Sequence, residues 1–186
     1  MSPDREFEIV FLCTGNRFRS PVAEALLRAA TRGLPVRVRS LGLLRQDPLP
    51  ALVEAVELSR RLGIDLSEHR SACLDGSDLS QADLVIGFEL NHVARAVIDA
   101  GADRRRTFLL AELVDYLEDT RLPPDQDVTA RAARAVEAAA ELRAGRPPAL
   151  PQEIGDPAGR PPKVQEQAME QIVGLTSRLA RLLFPA

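Results

Sequence analysis

The strongest constraint on the fold is an apolar strand that runs into a polar loop and then into a helix. Residues 7–12, Phe-Glu-Ile-Val-Phe-Leu, are rich in strand formers and predict a buried β-strand. The loop that follows contains Gly15. After it, Ser20 suits the N-cap and Pro21 the first position of a helix, which we expect to end at Gly33.

Strand and helix patterns alternate along the rest of the chain. We expect strands at 36–40, 83–88 and 107–110, and helices at 49–62, at 91–100 and over the apolar face of residues 169–183. This alternation implies a parallel sheet with helices on both faces. A run rich in Ala, Arg and Glu, 128–143, predicts one more helix inside a proline-framed insert, 121–151. The sequence therefore predicts one α/β domain over residues 1–186 that carries a helical insert.

Composition and charge argue against several classes of function. The formal net charge of -3 disfavours a general binder of nucleic acid or of anionic membranes. No apolar stretch has the length that spans a bilayer, and residues 8–13 are too short for a secretory signal, so we expect a cytoplasmic protein. Its two cysteines, Cys13 and Cys73, are then expected as free thiols. No cysteine–histidine cluster has the spacing of a zinc site.

The segment 13–19, Cys-Thr-Gly-Asn-Arg-Phe-Arg, predicts an anion site. In a strand–loop–helix arrangement, successive backbone N–H groups point inward and the helix N-terminus adds partial positive charge, which suits a phosphoryl group. The same field favours the nucleophilic thiolate of Cys13. Gly15 and Asn16 best tolerate positive φ, and Arg19 offers a planar fork to two phosphoryl oxygens. The predicted phosphate-binding residues are Thr14, Gly15, Asn16, Arg17, Phe18 and Arg19.

Each of these residues also has a structural explanation when it is taken alone. Cys13 would be a buried thiol at the end of a strand, and Arg19 would be a solvated arginine at a helix start. The combination with Gly15, Asn16 and the Ser-Pro helix start favours the functional interpretation.

The loop and its flanks resemble the signature of a known family. The stretch 9–24, Ile-Val-Phe-Leu-Cys-Thr-Gly-Asn-Arg-Phe-Arg-Ser-Pro-Val-Ala-Glu, is similar to that of the low-molecular-weight protein tyrosine phosphatases, and the similarity continues at 62–70, 82–86 and 155–157. The resemblance implies a doubly wound, four-stranded parallel sheet. It also implies a cysteine-dependent hydrolase that needs no metal or other cofactor and acts on phosphorylated protein, above all phosphotyrosine, or on small phosphoesters.

The resemblance implies a role for each matching residue. Cys13 matches the nucleophile that forms a cysteinyl-phosphate, and Arg19 matches the phosphate clamp. Ser20 matches the hydroxyl that supports the thiolate as a leaving group. Asp156 matches the general acid, which protonates the leaving oxygen and then activates water. A hydrogen-bond network that holds the loop in shape matches Asn16, Ser40 and His69.

Three positions depart from the family pattern. Phe18 stands where a second loop cysteine is common, so oxidised Cys13 would have to pair with Cys73 or with a small thiol. Ala158 stands where an aromatic residue usually lines the phosphotyrosine pocket, which predicts weaker binding of that ring. Arg17 stands at a position that is often apolar or small, and it either adds a cation at the pocket rim or points to solvent.

Two further functions and one structural question stay open. An arsenate reductase coupled to a small thiol needs no further cysteine, whereas a thioredoxin-coupled one needs two and only Cys73 remains. A non-catalytic phosphate-binding module needs the loop but neither the thiolate nor Asp156. The insert 121–151 either caps the site near Asp156 or packs as a peripheral helix. His92, like Cys73, is expected to be a surface or packing residue without a role.

Overall fold

A four-stranded parallel sheet organises the protein. The computed structural model describes residues 5–122, 125–147, 150 and 152–185. Within them, β1 (Phe7–Cys13), β2 (Val36–Gly42), β3 (Leu84–Gly87) and β4 (Thr107–Leu109) pair in the order β2-β1-β3-β4. The helices are α1 (Arg19–Ala30), α2 (Val53–Arg60), α3 (Leu90–Ala100), α4 (Leu110–Glu118), α5 (Val128–Gly145) and α6 (Pro162–Leu183). The predicted doubly wound α/β fold is confirmed.

The strand order places the end of β1 at a crevice. The chain passes from β1 to β2 on one side of β1 and then crosses to β3 on the other side. In parallel sheets, ligands bind outside the carboxyl ends of the strands where the order reverses in this way. Because β1 ends at Cys13, the loop 13–19 opens into this crevice.

Both faces of β1 are buried, which explains its nearly continuous apolar run. Ile9 and Phe11 face a core that includes α1 and α6, whereas Val10 and Leu12 face a second core that includes α3. This follows from the alternation of side chains along a strand. In the part of the chain that the structure describes, no helix is both long and apolar enough to cross a membrane.

Several predicted boundaries were wrong, two of them in ways that change the chain path. The helix expected at 49–62 spans only Val53–Arg60, because the segment before it is extended and bridges to Arg70 through Pro50. The strand expected at 107–110 ends at Leu109, where α4 begins at once. No helix was predicted there. The side chain of Glu112 accepts the N–H of Leu109 at 3.3 Å and so helps to start α4 without a loop.

The helix of the insert lies at the end of the sheet opposite the loop 13–19. Arg143 of α5 donates to the carbonyl of Thr107, the first residue of β4, at 2.8 Å. Arg131 donates to the carbonyl oxygens of Leu182 and Leu183 at the end of α6. The ring of Phe184, which follows, packs edge-on against Phe7 at the start of β1.

These contacts all lie at the amino ends of the strands, so α5 packs as a peripheral helix and does not itself cap the loop 13–19. The helix within 121–151 is confirmed. The proline-containing ends of the insert, at 123–124, 148–149 and 151, lie outside the described residues.

A core substitution in α5 tests this placement. Ala139 is fully buried, so Ala139→Leu overpacks the core and should lower the free energy of unfolding by about 1–3 kcal/mol. Turnover per folded molecule should stay unchanged, because the helix lies at the other end of the sheet from the loop. Chemical denaturation and steady-state kinetics measure the two effects. The half-buried neighbour gives the control variant, Ala138→Leu, and a loss of turnover in Ala139→Leu alone would contradict the placement.

Candidate active site

Cys13 sits at the centre of a donor-lined loop. Its side chain is buried, and its Sγ lies 3.0 Å from the Oγ of Ser20 and accepts the backbone N–H of Asn16 at 3.2 Å. Helix α1 begins at Arg19, two residues before the predicted first position at Pro21, with Phe18 as the N-cap residue. Ser20 makes no cap because its hydroxyl turns to the sulfur instead. The N-terminus of α1 and two donors therefore converge on the thiol.

Asn16 connects the loop to its surroundings. It is fully buried and is the only non-glycine residue with positive φ (51°) in the part of the chain that the structure describes. Its Nδ2 donates to Ser20 Oγ at 2.9 Å and to Ser40 Oγ at 2.7 Å, and its Oδ1 accepts the N–H of Ala72 at 2.8 Å. Its carbonyl oxygen lies 2.7 Å from Nε2 of His69. The structure thus brings the three predicted support residues together.

The network fixes the direction of the hydrogen bond to the sulfur. Ser40 accepts from Asn16 and donates to the carboxylate of Glu24 at 2.6 Å, which is an acceptor only. Ser20 likewise accepts from Asn16, so its own hydrogen is free to point to Cys13 Sγ. A hydroxyl in this orientation stabilises a thiolate. Glu24 was missed from the sequence because it lies on α1 whereas its partner, Ser40, lies on β2.

Glycine is required at the contact between the loop and β2. A Cβ added to Gly42 would lie 3.0 Å from the backbone N and the Cβ of Asn16 and from the carbonyl carbon of Gly15. The backbones therefore approach more closely than any side chain allows. Gly15 itself does not have positive φ, so the prediction of that conformation holds only for Asn16.

Arg19 is buried in a cage of acceptors. Its side chain is 1% exposed, and its Nη1 donates to Glu89 Oε2 and to the carbonyl of Ile154, each at 2.8 Å. Its Nη2 donates to Thr14 Oγ1 at 3.1 Å and pairs with Asp156 Oδ2 at 3.0 Å. Arg19 and Asp156, predicted as clamp and acid, are thus adjacent. Glu89 was not predicted from the sequence.

Asp156 is held at the mouth of the site by its own turn. Its Oδ1 accepts the N–H of Ala158 at 3.1 Å, while its Oδ2 pairs with Arg19. The side chain remains 40% exposed. A carboxyl group in this position can reach both the loop and the solvent, as an acid that later activates water must do.

His92 is the third residue, after Glu24 and Glu89, that sequence reasoning missed. It is fully buried at the start of α3, and its Nε2 lies 3.2 Å from Thr14 Oγ1. Burial and the nearby charge of Arg19 lower the pKa of His92 to about 3. It was expected to be a surface or packing residue without a role, and it is buried at a position where the end of β3 brings it beside Thr14 at the end of β1. Its only sequence signal was its position shortly after a predicted strand.

The structure shows where two of the residues that depart from the family pattern, Arg17 and Phe18, direct their side chains. The Nε of Arg17 donates to the carbonyl of Pro50 at 2.8 Å, which ties the side chain to the segment before α2. Phe18 is buried in the core beside α1, so it contributes to the site only through its backbone. Among the residues that the structure describes, no group of three or more His, Cys, Asp or Glu side chains is placed to hold a metal ion.

Cys73 lies too far from Cys13 for a disulfide. Gly42 pairs with Cys13 on one side and with Cys73 on the other, so two strand spacings, about 10 Å, separate the two Cα atoms. A disulfide requires less than about 7 Å. The expected pairing of oxidised Cys13 with Cys73 would therefore need the backbone to move.

The fold and the site define a class of doubly wound α/β proteins that present a buried cysteine and a buried arginine on one anion-binding loop. The model of the low molecular weight phosphotyrosine protein phosphatase family matches residues 8–128, and the chain belongs to this family.

Individual relatives agree with this assignment. The chain is 45% identical over 78 residues to a probable low molecular weight protein-tyrosine-phosphatase, EpsP, of Ralstonia solanacearum, covering 42% of this chain and about half, 52%, of that protein. It is 38% identical over 109 residues to a protein-arginine-phosphatase of Bacillus subtilis, covering 58% of this chain and 72% of that protein. The solved structure of a low molecular weight protein tyrosine phosphatase from T. tengcongensis matches with a TM-score of 0.68 and 27% identity, covering 94% of this chain and 97% of that chain.

Gly42→Ala tests the close approach of the loop and β2. The added methyl must displace Asn16, so we expect inorganic phosphate to bind at least about tenfold more weakly, as for a loss of several hydrogen bonds to an anion. Isothermal titration calorimetry measures the dissociation constant. Gly174→Ala, where an added Cβ meets nothing within 4 Å, is the control and should bind phosphate like the original chain. Equal affinity in both variants would contradict the argument.

The lowered pKa of His92 predicts a pH-dependent stability. The unfolded chain protonates this histidine near its ordinary pKa of about 6.5, whereas the folded chain does so only near 3. As the pH falls between these values the unfolded state binds more protons, so the free energy of unfolding falls by up to about 1.4 kcal/mol per pH unit. We expect His92→Gln to lose stability less steeply between pH 6 and 4 in urea titrations. If the free energy of unfolding fell equally steeply with pH in both proteins, the lowered pKa of His92 would be refuted.

Proposed function

We propose that the chain is a cysteine-dependent phosphatase that hydrolyses phosphomonoesters, most readily protein phosphotyrosine, through a cysteinyl-phosphate intermediate. The observation that carries the proposal is the convergence of Ser20 and the N–H of Asn16 on the sulfur of Cys13, beside a buried Arg19 that contacts Asp156. We also propose a cytoplasmic location, because a catalytic thiol must stay reduced.

Binding exchanges one anion for another at Arg19. In the structure the Nη2 of Arg19 pairs with the carboxylate of Asp156. A phosphoryl oxygen that enters the loop takes the place of this carboxylate and receives the loop N–H groups and the helix N-terminus as further partners. Asp156 is thereby released beside the ester oxygen. Glu89 and the carbonyl of Ile154 keep the other end of the guanidinium in place.

The first chemical step transfers the phosphoryl group to sulfur. The thiolate of Cys13 attacks phosphorus in line with the leaving oxygen, an S–P bond forms and the P–O bond breaks. Once it has left Arg19, Asp156 acts in its protonated form and gives this proton to the leaving oxygen. Arg19 and the loop N–H groups stabilise the charge on the equatorial oxygens.

The second step returns the enzyme to its starting state. Asp156, now a carboxylate, takes a proton from water, and the resulting oxygen attacks phosphorus while the P–S bond breaks. The hydroxyl of Ser20 and the N–H of Asn16 stabilise the departing thiolate. Phosphate then leaves the loop.

Phosphoarginine in protein is a second candidate substrate. Two observations favour it: the similarity to a protein-arginine-phosphatase, and Ala158 at a position where no aromatic side chain is available to stack on a phosphotyrosine ring. The loop contacts only the phosphoryl group, so the same two steps cleave a P–N bond when Asp156 protonates nitrogen. The two substrates differ only in what surrounds the leaving group.

Steady-state kinetics on matched phosphotyrosine and phosphoarginine peptides and on p-nitrophenyl phosphate test the proposal. Cys13→Ser should abolish turnover, whereas the control, Cys73→Ser, should retain it. Asp156→Asn should lower kcat by about 10²–10⁴ on phosphotyrosine, and less on p-nitrophenyl phosphate, whose leaving group needs less protonation. The ratio of kcat/KM for the two peptides identifies the preferred phosphoresidue.

The alternatives predict different outcomes of the same experiment. A binding module would bind inorganic phosphate and release no product above the Cys13→Ser background. An arsenate reductase would instead reduce arsenate in the presence of a small thiol, with the same requirement for Cys13. Either result without phosphoester turnover would overturn the phosphatase proposal.

A further inference from the structure

The hydrogen bonds of His92 define its tautomer. Its Nδ1 accepts the backbone N–H groups of Phe88 at 3.2 Å and of Glu89 at 3.0 Å. Because both partners are donors, Nδ1 carries no hydrogen, and the neutral ring must carry its hydrogen on Nε2. His92 is fully buried, so no water competes for either nitrogen.

The Nε2–H group of His92 donates to Thr14. Nε2 lies 3.2 Å from Thr14 Oγ1 and 3.4 Å from Glu89 Oε2, which already accepts from Arg19 at 2.8 Å. Thr14 Oγ1 also accepts from the Nη2 of Arg19 at 3.1 Å. These two donors occupy both lone pairs of the threonine oxygen.

The hydroxyl hydrogen of Thr14 is therefore left to donate. Within the described part of the chain this hydrogen has no acceptor, because both hydrogen-bond partners of the Thr14 hydroxyl are donors. Thr14 directly follows Cys13 and shares the Nη2 of Arg19 with Asp156. A phosphoryl oxygen that replaces the carboxylate at Nη2 lies beside this hydroxyl.

We infer that the Thr14 hydroxyl is a catalytic hydrogen-bond donor to the transferring phosphoryl group, and that His92 is the positioning residue that fixes its direction. The inference deepens the proposed function and rests on it. The chain of donors runs from the backbone of Phe88 and Glu89 through the imidazole to the hydroxyl. It is oriented before substrate arrives, so no reorganisation is needed when charge develops on the phosphoryl oxygens.

Substitutions at Thr14 distinguish the contribution of its hydroxyl to activity from that of its methyl group. Thr14→Val keeps the shape and removes the donor, so we expect kcat/KM for p-nitrophenyl phosphate to fall about tenfold to a hundredfold. Thr14→Ser keeps the donor and should remain within about threefold of the original chain. Thr31→Val is the control, since that hydroxyl donates to the carbonyl of Leu27 on α1. Its kcat/KM should not change.

A double-mutant cycle tests the role of His92. His92→Gln should lower kcat/KM about as much as Thr14→Val, and should add little in the Thr14→Val background, because its effect passes through the hydroxyl. Losses that multiply would overturn the role of His92. Equal activity of Thr14→Val and Thr14→Ser would overturn the whole inference.

Phosphate binding keeps the test independent of turnover. Calorimetry with inorganic phosphate should give a larger dissociation constant for Thr14→Val than for Thr14→Ser. If the chain bound phosphate in this order but hydrolysed no ester, the phosphatase proposal would fail and the donor role of Thr14 would stand for binding alone. Equal dissociation constants for Thr14→Val and Thr14→Ser would contradict the donor role of Thr14.

Discussion

The buried side chain of Asn16 is the contact on which the rest of the site depends. An amide offers two donors and one acceptor in a fixed plane, and here all three are used between three separate parts of the chain. The loop needs this support, because Asn16 takes a backbone conformation that few side chains tolerate and that only surrounding contacts can maintain. Removing any one partner leaves a buried polar atom unsatisfied, so the loop, β2 and the segment at Ala72 form one cooperative unit.

Arg19 illustrates how a charge can be kept in a protein interior. Two carboxylates and a carbonyl oxygen accept from the guanidinium, which avoids the high cost of an unpaired buried charge. The two carboxylates are not equivalent. Glu89 is anchored at the start of α3, whereas Asp156 lies on an exposed turn. In the proposed mechanism the phosphoryl group displaces Asp156, which is the more exposed of the two, and Glu89 stays in place.

Local pattern placed Cys13, Asn16 and Arg19 in one loop, because spacing along a strand–loop–helix unit determines spacing in space. Ser20 was predicted from the same pattern as the N-cap, which is wrong, and its position beside the sulfur followed only from the family resemblance. The sheet followed from apolar runs of strand length. Asp156, Ser40 and His69 came from the family resemblance, and the structure places them in contact with the loop or with Arg19.

The remaining residues depend on tertiary contacts that no local pattern encodes. Glu24, Glu89 and His92 look like ordinary helix residues in the sequence, and only the pairing of β1 with β2 and β3 brings them to the loop. The helix α4 was missed because it begins within the strand-like run that ends β4. The position of α5 could not be predicted either, since an alanine-rich helix can pack at either end of a sheet.

The fixed position of Ile154 has a consequence for how this protein can vary. Its N–H donates to the carbonyl of Phe88 at 2.9 Å and its carbonyl accepts from Arg19, so the chain is anchored just before Asp156. A substitution in α5, which lies at the amino ends of the strands, therefore does not act directly on the pairing of Asp156 with Arg19. The two ends of the sheet thus have separate tasks, one chemical and the other purely structural.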